Sequence, residues 1–252
     1  MTVINLVKDG VLLSADVHGT GDLVLLLHPG LAPAQLLENA AKPISEHFRV
    51  VVPDRRGHGR TPDTPGPYTY EQGAADTIAL LESLAQGPAD LVGICDGAIV
   101  SALVALQRPD LVRSLTLQGK YLNLEGAVPE ALAMFRSWTP ATVPAIAVEL
   151  HAALSPDGPA HFPVVLEKVC RLALEGPRLT FDQLHQLTMP VLVLVADDDA
   201  VTLEHAVAVF RALPRGQLGV LPGTSHLAFL EKPWLFATVV LDFLRTPDPR
   251  TL

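Results

Sequence analysis

Cys95 stands midway between two glycines in the run Gly93-Ile94-Cys95-Asp96-Gly97. The surrounding segment, residues 90–100, reads as a strand, a sharp turn and a helix. That is the layout of a nucleophile elbow, with cysteine where serine is usual. The glycines have a physical task, because side chains at those positions collide where strand and helix pack closely, and the central residue takes a strained backbone angle. Such a turn holds the sulfur clear of the strand. It also places the sulfur at a helix N-terminus, which favours a thiolate. A nucleophile of this kind needs a base and a group that orients the base. Asp197-Asp198-Asp199 follows the apolar run 191–196, and His226 follows the run 218–221. His226 is expected to take the thiol proton, and one of the aspartates to fix its tautomer and stabilise the imidazolium. Taken singly, Cys95 is a small buried hydrophobe, His226 a loop histidine and 197–199 a solvated turn. Together, in the order nucleophile, acid, base, they point to nucleophilic catalysis at an acyl carbon.

Those three positions act together only if the strands before them lie side by side and end on one edge. The pattern along the chain provides this. Residues 3–7 and 11–18 read as a hairpin with Lys8-Asp9-Gly10 as its turn. Continuous apolar strands follow at 23–28, 50–53, 91–93, 114–117, 191–196 and 218–221. Helical patterns over about 70–86, 98–107, 203–213 and 233–245 separate most of them. Apolar strands alternating with helices indicate a parallel sheet covered on both faces. The expected fold class is therefore α/β, with an eight-stranded, mostly parallel sheet. Between Gly119 and Thr188 no good strand appears, only helical patches cut by seven prolines. The expected division is a core of residues 1–119 and 189–252 with a helical cap, 120–188, over the carboxyl edge where open α/β folds bind ligands.

Composition narrows the function classes. The chain has 252 residues, 49% of them hydrophobic and 18% charged, with a formal net charge of −9. This suits one large domain with a substantial core. The acidic balance repels phosphate backbones and anionic lipid, so neither a nucleic acid nor a membrane is an expected partner. No apolar run approaches the roughly 18 residues of a membrane span. The first residues lack a basic stretch followed by a long apolar one, and two cysteines make no disulfide framework, so a cytoplasmic location is expected. No G-x-G-x-x-G, P-loop, H-E-x-x-H or zinc-spaced Cys/His set occurs, so no cofactor and no metal is expected. The expected partner is a small-molecule substrate, with a homodimer left open.

From about residue 11 to 245 the chain resembles the α/β-hydrolase superfamily. The resemblance rests on the elbow, on His28-Pro29-Gly30-Leu31 after the third strand, and on Pro53-Asp54 with Gly57-His58-Gly59 after the fourth. It is most similar to small bacterial esterase-, lactonase- and peptidase-like members whose elbow reads Gly-Trp-Ser-Asp-Gly. The resemblance implies Cys95 as nucleophile, His226 as base and Asp199, the last of the three aspartates, as acid, with Asp197 and Asp198 as alternatives. It also implies an oxyanion hole formed by the N–H of Asp96 and an N–H from Gly30 or Leu31, with Leu31 preferred; Pro29 has no N–H to offer. Two departures stand out: cysteine replaces serine, and Ile94 replaces a large aromatic. Cysteine elbows occur in dienelactone-hydrolase-like enzymes, which this chain otherwise resembles less.

The expected reaction is cleavage of a small ester, lactone or thioester through an acyl-cysteine, since a thiolate suits activated acyl groups. Gly30, Phe135 and Trp138 are the expected substrate-binding residues. Tyr121 and Phe162 read equally as pocket wall or cap core, and Cys170 as buried filling. The Asp96 carboxylate is expected to point away from the sulfur, toward its own helix start. Arg55, Arg56, His58 and Arg60 read as a structural loop with its arginines paired to acids, with attraction of an anionic substrate as the alternative. Three other functions fit the same residues: a lyase or cyclase of secondary metabolism using Cys–His without an acyl-enzyme, a serine hydrolase with an introduced cysteine, and a non-catalytic binding protein.

Overall fold

A computed structural model describes residues 2–248. Met1 and residues 249–252, the end of the expected core segment 189–252, lie outside the described residues. Eight strands form one sheet: β1 (Thr2–Lys8), β2 (Val11–His18), β3 (Leu23–Leu27), β4 (Arg49–Pro53), β5 (Ala89–Ile94), β6 (Val112–Gln118), β7 (Val191–Asp198) and β8 (Gly216–Ser225). Their order across the sheet is β1-β2-β4-β3-β5-β6-β7-β8. The β1–β2 and β2–β4 pairs are antiparallel, and every other pair is parallel. The carboxyl ends of β3 to β8 therefore lie on one edge, where the strand order reverses around β3.

The central strands are apolar at every position because both faces are covered. In β3, Leu23, Leu25 and Leu27 enter one core while Val24 and Leu26 enter the other, as the two-residue period requires. The first core is closed by α2 (Tyr70–Leu84), α3 (Asp96–Gln107) and α8 (Leu203–Ala212), and the second by α1 (Glu38–Ser45), the single turn α9 (Ala228–Glu231) and α10 (Pro233–Arg245). Helix α2 begins where the Thr69 side chain accepts from the Gln72 N–H, and ends at Ala85 in the left-handed conformation. Helix α1 is the core element that the periodicity missed: it is short and carries Pro43 inside it.

Between β6 and β7 the chain forms α4 (Pro129–Ser137), α5 (Ala145–Leu154), α6 (Phe162–Glu175) and the single turn α7 (Phe181–Leu184). Val143, Ala147, Phe162 and Leu166 make a small core of their own. This insertion is tied to the loop after β4. Lys168 Nζ donates to Asp63 Oδ2 and to the Thr64 carbonyl, both at 2.7 Å, and His161 Nε2 lies 2.8 Å from Asp63 Oδ2. The Asp63 N–H donates in turn to Asp157 Oδ2. None of the described helices is long and apolar enough to cross a membrane.

Candidate active site

Strand β5 ends at Ile94 and α3 begins at Asp96, leaving Cys95 alone in the turn with φ 53° and ψ −117°. A non-glycine residue held at positive φ is strained, and the neighbouring backbone fixes it there. The Cys95 N–H donates to the Gln118 carbonyl on β6, and the Cys95 carbonyl accepts from Ala98. The flanking glycines are required by close approach. A Cβ on Gly93 would lie 2.4 Å from the Gly97 carbonyl oxygen, and one on Gly97 would lie 2.2 Å from that of Leu27.

His226 follows β8, and its Nδ1–H donates to Asp199 Oδ1 over 2.6 Å. Asp199 is fully buried and is fixed by the N–H groups of Ala196 and Ala200. Of the three aspartates, Asp199 supplies the hydrogen bond to the imidazole. Asp197 instead accepts from Gly223 and Thr224, bracing the loop that carries the histidine. Gly119, at φ 64°, packs under the pair: a Cβ there would approach His226 Nδ1 to 3.1 Å and Asp199 Oδ1 to 3.3 Å.

The imidazole also faces the thiol, and the two perturb each other. Burial alone would keep His226 neutral, but a Cys95 thiolate and the Asp199 carboxylate overcome it and push the imidazole up to about 10. Burial would raise the Cys95 thiol, yet Lys120 foremost, with His226, holds it below its ordinary value against the opposing Asp96 carboxylate. The arrangement favours a thiolate–imidazolium pair.

Lys120 and Tyr70 were not anticipated from the sequence. Lys120 follows Gly119 at the carboxyl end of β6, on the same edge as Cys95 and His226, and its side chain is only 2% exposed. Its Nζ lies 2.9 Å from Asp96 Oδ1, which also accepts from the Tyr70 hydroxyl at 2.9 Å. The ammonium sits 4.5 Å from the centroid of the Tyr121 ring. Burial works against an ionised Asp96, but Lys120 and then Arg55 hold it at about 2. The expected orientation of Asp96 toward its own helix start is thus corrected: its carboxylate is buried in an ion pair with Lys120. A lysine in the apolar stretch after a strand, one residue past a glycine, was the available signal.

Three other expectations need placing. The Leu31 N–H, the preferred oxyanion donor, donates to His58 Nε2 at 3.1 Å. Gly30 packs near the elbow, where an added Cβ would lie 2.9 Å from both Asp96 Oδ2 and Val169. Phe135 and Trp138 stack edge to face at 4.9 Å and line a groove with Arg136, Leu166 and Cys170 whose walls are all insertion residues. Cys95 is not part of that groove. Tyr121 and Phe162 are buried as core.

Residues 17–237 match the sequence profile described as the Alpha/beta hydrolase family. The chain is 26% identical over 285 residues to "Putative non-heme bromoperoxidase BpoC" of Mycobacterium tuberculosis (strain CDC 1551 / Oshkosh), covering 92% of this chain and 97% of that protein. Among solved structures, Est816, described as an N-acyl homoserine lactone degrading enzyme, superposes with a TM-score of 0.79 at 24% identity, over 95% of this chain and all of that one. A thermophilic esterase from Thermogutta terrifontis does so with a TM-score of 0.78 at 24% identity, over 99% and 100% of the two chains. With its sheet order, its elbow and a profile match that spans most of its length, the chain belongs to the alpha/beta hydrolase family.

Proposed function

We propose that this hydrolase cleaves a small ester, lactone or thioester by acyl transfer through Cys95, with His226 as acid and base and Asp199 as the group that orients it. The observation that carries the reading is the Cys95–His226–Asp199 line, with the thiol at a strained turn against an imidazole whose far nitrogen is bonded to a buried carboxylate over 2.6 Å. The Cys95 thiolate adds to the acyl carbon and the carbonyl electrons move to oxygen. The N–H of Asp96, at the helix start, and that of Gly30 are the donors assigned to this oxyanion, since Leu31 is engaged by His58. When the carbonyl re-forms, the bond to the leaving oxygen or sulfur breaks and the imidazolium supplies its proton. Water then attacks the thioester while the neutral imidazole takes its proton, and collapse releases the acid and the thiolate. The insertion 120–188, tied to the loop after β4, is assigned the role of a cap over this site.

Intact-protein mass spectrometry tests the reading. The protein is quenched after brief incubation with activated esters, lactones and acyl thioesters, beside Cys95→Ser and His226→Ala. The expected result is an acyl mass increase that requires Cys95 and is discharged only when His226 is present. Product formation without any adduct under rapid quench would overturn it and leave elimination or cyclisation by the same pair.

A further inference from the structure

The loop after β4 carries three arginines that look equivalent in sequence, and the structure separates them. Arg56 forms two hydrogen bonds to Asp76, at 2.7 and 2.8 Å. Arg60 reaches Asp16 at 2.8 Å and Asp54 at 3.0 Å. Arg55 has no carboxylate within ion-pair distance among the described residues, and its Nε is buried without a partner. One Nη of Arg55 lies 3.5 Å from His28 Nδ1, but that nitrogen cannot accept. His28 Nε2 already accepts the Arg55 N–H at 3.0 Å, so the proton of the neutral ring is on Nδ1, and it is donated to the Pro29 carbonyl at 2.6 Å. His58 is equally occupied: its Nε2 accepts from Leu31, and its Nδ1–H is given to the Arg56 carbonyl. Burial and the charge of Arg55 keep both rings neutral. Among the described residues the guanidinium thus has no accepting partner.

The space it faces reaches the residue next to Cys95 in the chain. Arg55 lines a crevice with His58, Tyr68, Asp96, Val169 and Leu172, between the loop after β4, the first residue of α3 and one face of α6. Asp96, the residue after Cys95, is part of its lining. Of the other charges on the walls, Asp96 is ion-paired with Lys120, with Arg55 acting on it only at longer range, and Asp76 is paired with Arg56. A planar cation with free, paired donors matches a carboxylate, which it can hold through two parallel hydrogen bonds. Val169 and Leu172 offer apolar contact to a short chain between that carboxylate and the reacting acyl carbon. We infer that Arg55 receives a free carboxylate of the substrate, so that the site takes acyl compounds bearing a second, ionised carboxyl group in preference to neutral ones. The inference rests on the acyl-transfer reading above and names the substrate class for it.

The test compares mono-p-nitrophenyl glutarate with p-nitrophenyl pentanoate and with the methyl-capped glutarate ester, in the wild type, Arg55→Gln and Arg55→Lys. Binding of free glutarate is followed in parallel by calorimetry. The wild type should favour the free carboxylate in kcat/KM by about tenfold to a hundredfold, the scale of one charged hydrogen-bonded contact. Arg55→Gln should erase most of that ratio, chiefly through KM, and abolish glutarate binding. Arg55→Lys should restore only part, because an ammonium lacks the fork. No preference in the wild type, or an Arg55→Gln variant that slows all three esters equally, would overturn the inference while leaving acyl transfer standing. Glutarate binding that depends on Arg55, with no ester turned over, would retain the carboxylate site and remove the acyl-transfer reading.

Discussion

Lys120→Met would leave the Asp96 carboxylate buried beside Cys95 without its ion-pair partner, and its consequences can be worked from the geometry. The ammonium and carboxylate are 2.9 Å apart and at most 4% exposed, so solvent screens them little. At an effective dielectric of about 20, unit charges at that distance attract by about 6 kcal/mol. Part of this offsets desolvation of the pair, and breaking a buried pair costs about 3–5 kcal/mol. Urea unfolding of Lys120→Met should show a loss of that size. The same substitution removes the foremost cationic influence on the Cys95 thiol and retains the opposing carboxylate, so the thiol should titrate at higher pH. Asp96→Asn removes only the opposing charge and should move the thiol the other way. Alkylation of Cys95 by iodoacetamide across pH, checked by peptide mass, reads both shifts. The double variant Lys120→Met/Asp96→Asn should recover much of the stability lost in Lys120→Met, since neither member of the pair is then charged. A loss under about 1 kcal/mol in Lys120→Met, or thiol shifts of the same sign in both single variants, would refute the electrostatic account.

The pH dependence has a fixed sign. Because His226 is raised from 6.5 to about 10 in the folded protein, its contribution to stability is full below 6.5 and lost as pH rises through 10. Acylation by an activated ester should fall over the same alkaline limb, and His226→Ala should lack that step in urea unfolding. Gly97→Ala forces a Cβ to within 2.2 Å of the Leu27 carbonyl oxygen, and should destabilise by about 3 kcal/mol or fail to fold, measured by urea unfolding or soluble yield. Asp199→Asn should slow acylation by about three to four orders of magnitude, while Asp197→Asn, which weakens two backbone hydrogen bonds at the histidine loop, should cost only about 1–2 kcal/mol of stability. Stopped-flow acylation alongside urea unfolding separates the two, and comparable rate losses would contradict the roles given to them.

What the sequence discloses and what it conceals follow from where each constraint resides. Sheet and elbow are legible because backbone demands leave local marks: β3 is apolar at all five positions since both faces are covered, and Gly93 and Gly97 are glycine since carbonyl oxygens occupy the space of a side chain. Helix α1 escaped because Pro43 interrupts its pattern. The Lys120–Asp96–Tyr70 cluster joins β6, α3 and α2, three elements whose side-chain meeting carries no fixed spacing. The engagement of the Leu31 N–H was hidden for a related reason. Its position in the loop is set by motif, but the fate of its N–H is decided by His58, 27 residues away. Aromatic residue type likewise says nothing of direction, and Phe135 and Trp138 face a groove of the insertion. The arginines make the point most sharply. Arg55, Arg56 and Arg60 share a loop, a charge and a chemistry, and only their distances to Asp76, Asp16 and Asp54 show which charges are already balanced. A motif can specify where a nucleophile stands, because strain is a property of the local chain. Substrate preference depends on which charge is left over after folding, and that remainder is a property of the whole packed structure.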